Sequence, residues 1–72
     1  MTLNEFEAAL KLLGYTYKRK VMKREKRYWI YQTNPSKCIG RFSTTIGPDD
    51  ILDGAYRVTL RLINENNLNG LI

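Results

Sequence analysis

At Gly14 the hydrophobic period of this chain changes from 3.6 residues to 2, and beyond Pro48 it changes back. Before Gly14, Leu3, Phe6, Leu10 and Leu13 recur at helical spacing, with Ala9 and Leu12 widening the stripe. Thr2 followed by Glu5 is a capping-box pattern, in which the hydroxyl takes one free backbone N–H and the carboxylate reaches back to another. Glu5 and Glu7 also suit the positive end of the helix dipole. The spacing predicts a helix over 2–13, stopped by Gly14, which enters the left-handed conformation without a Cβ clash.

After Gly14 the alternation places Tyr15, Tyr17, Arg19 and Val21 on one face of a strand and Thr16, Lys18, Lys20 and Met22 on the other. The polar run 23–26 is read as a turn, although it lacks the Gly or Asn that tight primed turns prefer. A second strand is expected over 27–33. Asn34-Pro35-Ser36 forms the next turn, with Pro presetting φ at its second position. A third, short strand over 37–43 is interrupted by Gly40. Short loops make neighbouring strands pair, so the three form an antiparallel meander.

The closing arm opens on Gly47-Pro48-Asp49-Asp50, with Pro at the first helical position and two carboxylates in the first turn. Ile51, Ala55, Val58 and Leu62, flanked by Leu52, Tyr56 and Ile63, carry a helix over 48–65. Gly54 costs this helix about 1 kcal/mol against Ala and is read as a close approach to the sheet. The Asn-rich tail 66–72 is expected to fray unless Leu68, Leu71 and Ile72 dock on the core. The fold class is therefore α+β, an α-β-β-β-α two-layer sandwich with both helices on one face of a three-stranded antiparallel sheet. On the second strand both parities are apolar. Because large rings fill a core well, Trp29 and Tyr31 are expected inside with Cys38 and Phe42, leaving Tyr28 and Ile39 outside among Lys18, Lys20 and Arg41.

Size limits what such a domain can do. Seventy-two residues form one domain, 1–72. A core of this size rarely supplies more than about 3–5 kcal/mol of net stability. One cysteine, Cys38, excludes an internal disulfide, and it reads as a small core residue. The chain opens on no basic-then-apolar leader and contains no apolar run of membrane-spanning length, so a soluble, cytoplasmic protein without membrane contact is expected.

The charge is concentrated. Seven of the twelve Lys and Arg lie between positions 18 and 27, against the single acid Glu25, so that segment is +6 within a chain of net +5. Six of the eight aromatic residues fall between Tyr15 and Phe42. A basic, aromatic, strand-forming block points to a polyanionic partner. One reading is a solvated hairpin whose lysines protect a sheet edge. The other is a phosphate-contacting ridge, favoured because seven cations exceed what edge protection needs. Catalysis has no support: there is no histidine, no Cys-His or Ser-His pair, no metal-ligand spacing and no glycine-rich phosphate loop. No cofactor is expected. Asp49, Asp50 and Asp53 read as helix-start residues, not metal ligands.

The element order resembles the double-stranded-RNA-binding fold. It is also similar to the HicA-type toxins, a small version of that fold, through EAALKLLGYTYKR entering the sheet and LDGAYRVTLRLINENNL closing it. That family cleaves mRNA with a histidine at the sheet, which is absent here, so the activity does not carry over. The lysine-rich signature that opens the last helix in double-stranded-RNA-binding domains is replaced by the acidic GPDDILDG. Over 28–63, Trp29, IGRFST and GAYRVTLRLI resemble the three-strand-plus-helix DNA-binding domain of ethylene-response factors, an architecture shared with integrase arm-binding domains. Both resemblances imply a basic sheet facing nucleic acid. The expected function is thus a small nucleic-acid-binding protein using Lys18, Arg19, Lys20, Lys23, Arg24, Lys26, Arg27, Tyr28 and Arg41. The alternative is a non-enzymatic protein-interaction module, such as a mobile-element-encoded inhibitor docking on an acidic protein surface.

Overall fold

A computed structural model describes residues 1–45 and 52–69. The elements follow in the order α1 (Leu3–Leu13), β1 (Tyr15–Val21), β2 (Glu25–Thr33), β3 (Ser36–Thr45) and α2 (Asp53–Asn69). The sheet is antiparallel in the order β1-β2-β3, and the fold is the α+β arrangement expected.

α1 is closed at both ends as its sequence requires. Thr2 Oγ1 accepts from the Glu5 N–H at 3.2 Å, and Glu5 Oε1 accepts from the Thr2 N–H at 3.0 Å. The Thr2 backbone N–H, and then its hydroxyl, hold the Glu5 carboxyl below the usual carboxylate range. Gly14 sits at φ 88°, and its N–H donates to the carbonyls of Leu10 and Lys11. The Gly14 carbonyl accepts from both the N–H and the hydroxyl of Thr33, at 3.1 and 2.9 Å. The helix stop is therefore also the anchor for the end of β2.

The β1–β2 loop is tighter than the four-residue turn expected: Met22 N–H donates to the Glu25 carbonyl at 2.8 Å, leaving Lys23 and Arg24 at the tip. Among the described residues no non-glycine residue takes a positive φ, so the tip closes without a primed-turn glycine. Asn34 and Pro35, joined by a cis peptide bond, link β2 to β3. β3 is longer than expected and carries a bulge at Ile39, since Ile30 pairs with Gly40 and Tyr31 with Cys38.

The core is centred on Phe6, whose ring meets Tyr17, Tyr28 and Tyr56 edge-on at 5.1, 6.1 and 6.5 Å. One side chain of α1 thereby joins β1, β2 and α2. Tyr28 in turn stacks on Phe42 of β3 at 5.1 Å. Phe6, Leu10, Tyr28 and Ile30 are wholly buried, each worth about 1.5–3 kcal/mol relative to exposure. Leu12 lies outside this core at 89% exposure, because two residues of helix turn it to the far side from Leu10, and Leu13, expected on the stripe, is 48% exposed as the last residue of α1.

α2 is rotated from the expected stripe: Ala55, Thr59 and Ile63 are its buried positions, Val58 and Leu62 are half-buried, Leu52 is buried just before the helix, and Ile51 lies outside the described residues. Thr59 is tolerated there because its hydroxyl donates back to the Ala55 carbonyl at 2.8 Å. The expected Pro48 helix start lies outside the described residues. The helix runs past Glu65 through Asn69. Asn66 Nδ2 donates to the Tyr15 hydroxyl at 3.1 Å and to Gln32 Oε1 at 2.9 Å, and Tyr15 donates to Asn67 Oδ1 at 3.3 Å. These bonds hold the Asn-rich segment to the sheet as far as Asn67. A Cβ on Gly54 would meet nothing within 4 Å, so the close approach of helix to sheet is not there but at Gly40.

Candidate functional site

The register determines which side chains share a face, because directly opposed residues of an antiparallel pair point the same way. Tyr17 pairs with Ile30, and Arg19 pairs with Tyr28, which pairs in turn with Phe42. These belong to the face the helices cover. Lys18 pairs with Trp29, which pairs with Arg41; Thr16 pairs with Tyr31, which pairs with Cys38; Lys20 pairs with Arg27, which pairs with Ser43. These form the other, open face.

This reverses the expected facing of β2. Tyr28 and Ile30 are wholly buried, whereas Trp29 and Tyr31 lie half-buried at the centre of the open face. The physical reason was present in the hairpin. Any β1–β2 loop with an even number of residues puts Tyr28 opposite an odd-numbered residue of β1, hence with Tyr15 and Tyr17. Trp29 then falls with Thr16, Lys18 and Lys20, which cannot be the buried set. Cys38 is likewise exposed, not core. The bulge at Ile39 shifts the alternation, so Phe42 points inward while Cys38 points outward, and Ile39 packs against the core.

The expected site residues therefore divide. Lys18, Lys20, Arg27 and Arg41 come together on the open face, and Lys23 and Arg24 occupy the exposed hairpin tip. Arg19, Lys26 and Tyr28 lie on the helix side. Lys26 is 7% exposed, Arg19 is half-buried, and neither is a free cation. Trp29 and Tyr31, expected inside, join the open face instead.

Two interactions organise that face. Arg27 Nη2 donates to Glu25 Oε1 at 2.6 Å. The Arg27 hydrogen bond, and then one from Ser43, lower the Glu25 carboxyl against the opposing effect of desolvation. Glu25 is therefore not a turn residue but the first residue of β2, and it is ion-paired with Arg27 through one guanidinium nitrogen. The ammonium of Lys18 sits 5.3 Å from the centre of the Tyr31 ring, which holds that cation beside Trp29. Arg27, Arg41, Phe42 and Ser43 line a shallow depression of about 340 Å³ at the β3 side. It is open, and of the two guanidinium groups on its lining that of Arg27 is paired with Glu25.

Among the described residues, no group of three or more His, Cys, Asp or Glu could hold a metal ion. No helix among them is long and apolar enough to cross a membrane. No protein-family model matches the chain, and neither a curated protein nor a solved structure matches it.

Proposed function

We propose that this chain is a small nucleic-acid-binding protein that contacts phosphates with Lys18, Lys20 and Arg41 on the open sheet face and Lys23 and Arg24 at the hairpin tip. The observation that carries this is the make-up of the open face. Cations on its outer strands flank two large aromatic rings on its central strand, while both helices lie behind. Binding would be driven by release of counterions from the phosphates, with the rings adding base contacts. The α-β-β-β-α order is the one that the double-stranded-RNA-binding fold and the HicA-type toxins share, and this reading groups the chain with them by architecture. With no histidine to move protons at neutral pH, the role is binding without catalysis. The single exposed thiol of Cys38 fits a reducing compartment, and the cytoplasm is the proposed location.

Titration of labelled oligonucleotides between about 50 and 200 mM salt tests this reading. Three to five engaged phosphates give a slope of log K against log [salt] between roughly −2 and −5, depending on strandedness. Replacing Lys18 and Lys20 together by Ala should reduce its magnitude by about 1.5–2. Replacing Lys11 or Arg57, exposed on the helices, should leave it unchanged. No binding to any nucleic acid at low salt would remove this reading. An acidic protein would then be the better partner, since Trp, Tyr and Arg also dominate protein interfaces.

A further inference from the structure

The open face is not symmetric about its aromatic centre. On β1 the outward residues include Lys18 and Lys20, and the line continues into Lys23 and Arg24 at the tip. On β3 the outward residues paired with Tyr31, Trp29 and Arg27 are Cys38, Arg41 and Ser43, so one cation stands there. Arg27 on the central strand is tied to Glu25. The face therefore has one rail of positive charge, beside one row of rings. Outward residues along a strand repeat every ~6.6 Å. That is comparable with the step between successive phosphates of an extended single strand. A duplex has two phosphate rails, one on each side of its groove, and offers only base edges between them. A single strand has one rail and exposes the flat faces of its bases, which are what an indole or phenol ring can stack on.

Trp29 has no role in the core, because the core is complete on the other face with Phe6, Leu10, Tyr28 and Ile30. Its ring stands in the central strand between Lys18 and Arg41, and Lys18 is held over the neighbouring Tyr31. A phosphate engaged by Lys18 would carry its base toward Trp29. Building on the nucleic-acid reading above, we infer that the ligand of the open face is single-stranded nucleic acid, with phosphates along the β1 rail and an unpaired base stacked on Trp29.

Trp29 is the one tryptophan of the chain, so its emission reports on the site directly. The protein is titrated at low salt with oligo-dT and oligo-U of about twelve nucleotides, and with a duplex of the same length. Either single strand should quench the Trp29 emission and bind at least about tenfold more tightly than the duplex. Trp29→Leu keeps apolar bulk on the strand but removes the stacking face. It should weaken single-strand binding by about 5- to 150-fold, the range for loss of one stacked base, and leave the salt slope unchanged. Circular dichroism confirms that the variant is folded. The inference is overturned if the duplex binds as tightly as the single strands, if emission is unchanged at saturation, or if Trp29→Leu binds like the parent. In each of those cases salt-dependent binding leaves the broader nucleic-acid reading standing. Absence of binding to all three oligonucleotides removes both.

Discussion

Leu62 of α2 lies directly over Gly40 of β3: a Cβ built on Gly40 would stand 2.8 Å from one Leu62 methyl and 3.1 Å from the other. The atoms met are the far end of one flexible, half-buried side chain, so β3 and α2 approach closely here but the contact can adjust. Gly40→Ala requires the Leu62 side chain to shift and should cost no more than about 1 kcal/mol. In a Leu62→Ala background the obstacle is gone. The same Gly40→Ala change should then be neutral or stabilising, by up to about 1 kcal/mol, because it also reduces the freedom of the unfolded chain. Urea denaturation of the four members of this cycle measures the coupling. Equal costs in both backgrounds would contradict the contact.

Tyr28 is wholly buried, and its hydroxyl has no hydrogen-bond partner among the described residues. Removing an unsatisfied buried hydroxyl relieves its desolvation cost, so Tyr28→Phe should be neutral or more stable by up to about 1 kcal/mol. Tyr28→Ala removes the ring that meets Phe6 and Phe42 and should cost about 3–5 kcal/mol. A marked loss of stability in Tyr28→Phe, seen as a lower midpoint in thermal unfolding, would mean that the hydroxyl is paired.

Asn66 links α2 to both β1 and β2 by donating to Tyr15 and Gln32. Asn66→Ala leaves a part-buried acceptor without its donor and should cost about 1–2 kcal/mol. The effect should be local. Amide hydrogen exchange is expected to accelerate over 64–69 while the amides of α1 stay protected.

Glu25 restrains Arg27 on the open face. Glu25→Gln should free the guanidinium and raise the affinity for nucleic acid, with the salt slope growing in magnitude by up to about 1. The carboxyl is lowered by its partners, so its stabilising contribution is present above the ordinary glutamate value of about 4.3 and is lost as pH falls through the folded value. Glu5 behaves in the same sense through its hydrogen bonds with Thr2. Unfolding followed against pH should therefore show stability declining below about pH 4, and less steeply in Glu25→Gln. A stability profile that rises with acidification would contradict both assignments.

Local chemistry alone determined much of this protein. The Thr2–Glu5 box, the Gly14 stop and the change of period gave α1, the strands and the element order, because caps and side-chain periodicity act within a few residues. Clustering of cations between 18 and 27 was also visible at that level. Facing was different. Tyr28-Ile30 and Trp29-Tyr31 are equally apolar, so hydrophobicity along β2 cannot choose between them. The choice belongs to the pairing with β1, where the lysine-bearing parity cannot be buried, and to the bulge at Ile39, which reverses Cys38 against Phe42. The rotation of α2 onto Thr59 and Ile63, and the hold of Asn66 on Tyr15 and Gln32, likewise depend on partners far along the chain. Only when two helices had to close over one side of the sheet was Trp29 left on the other.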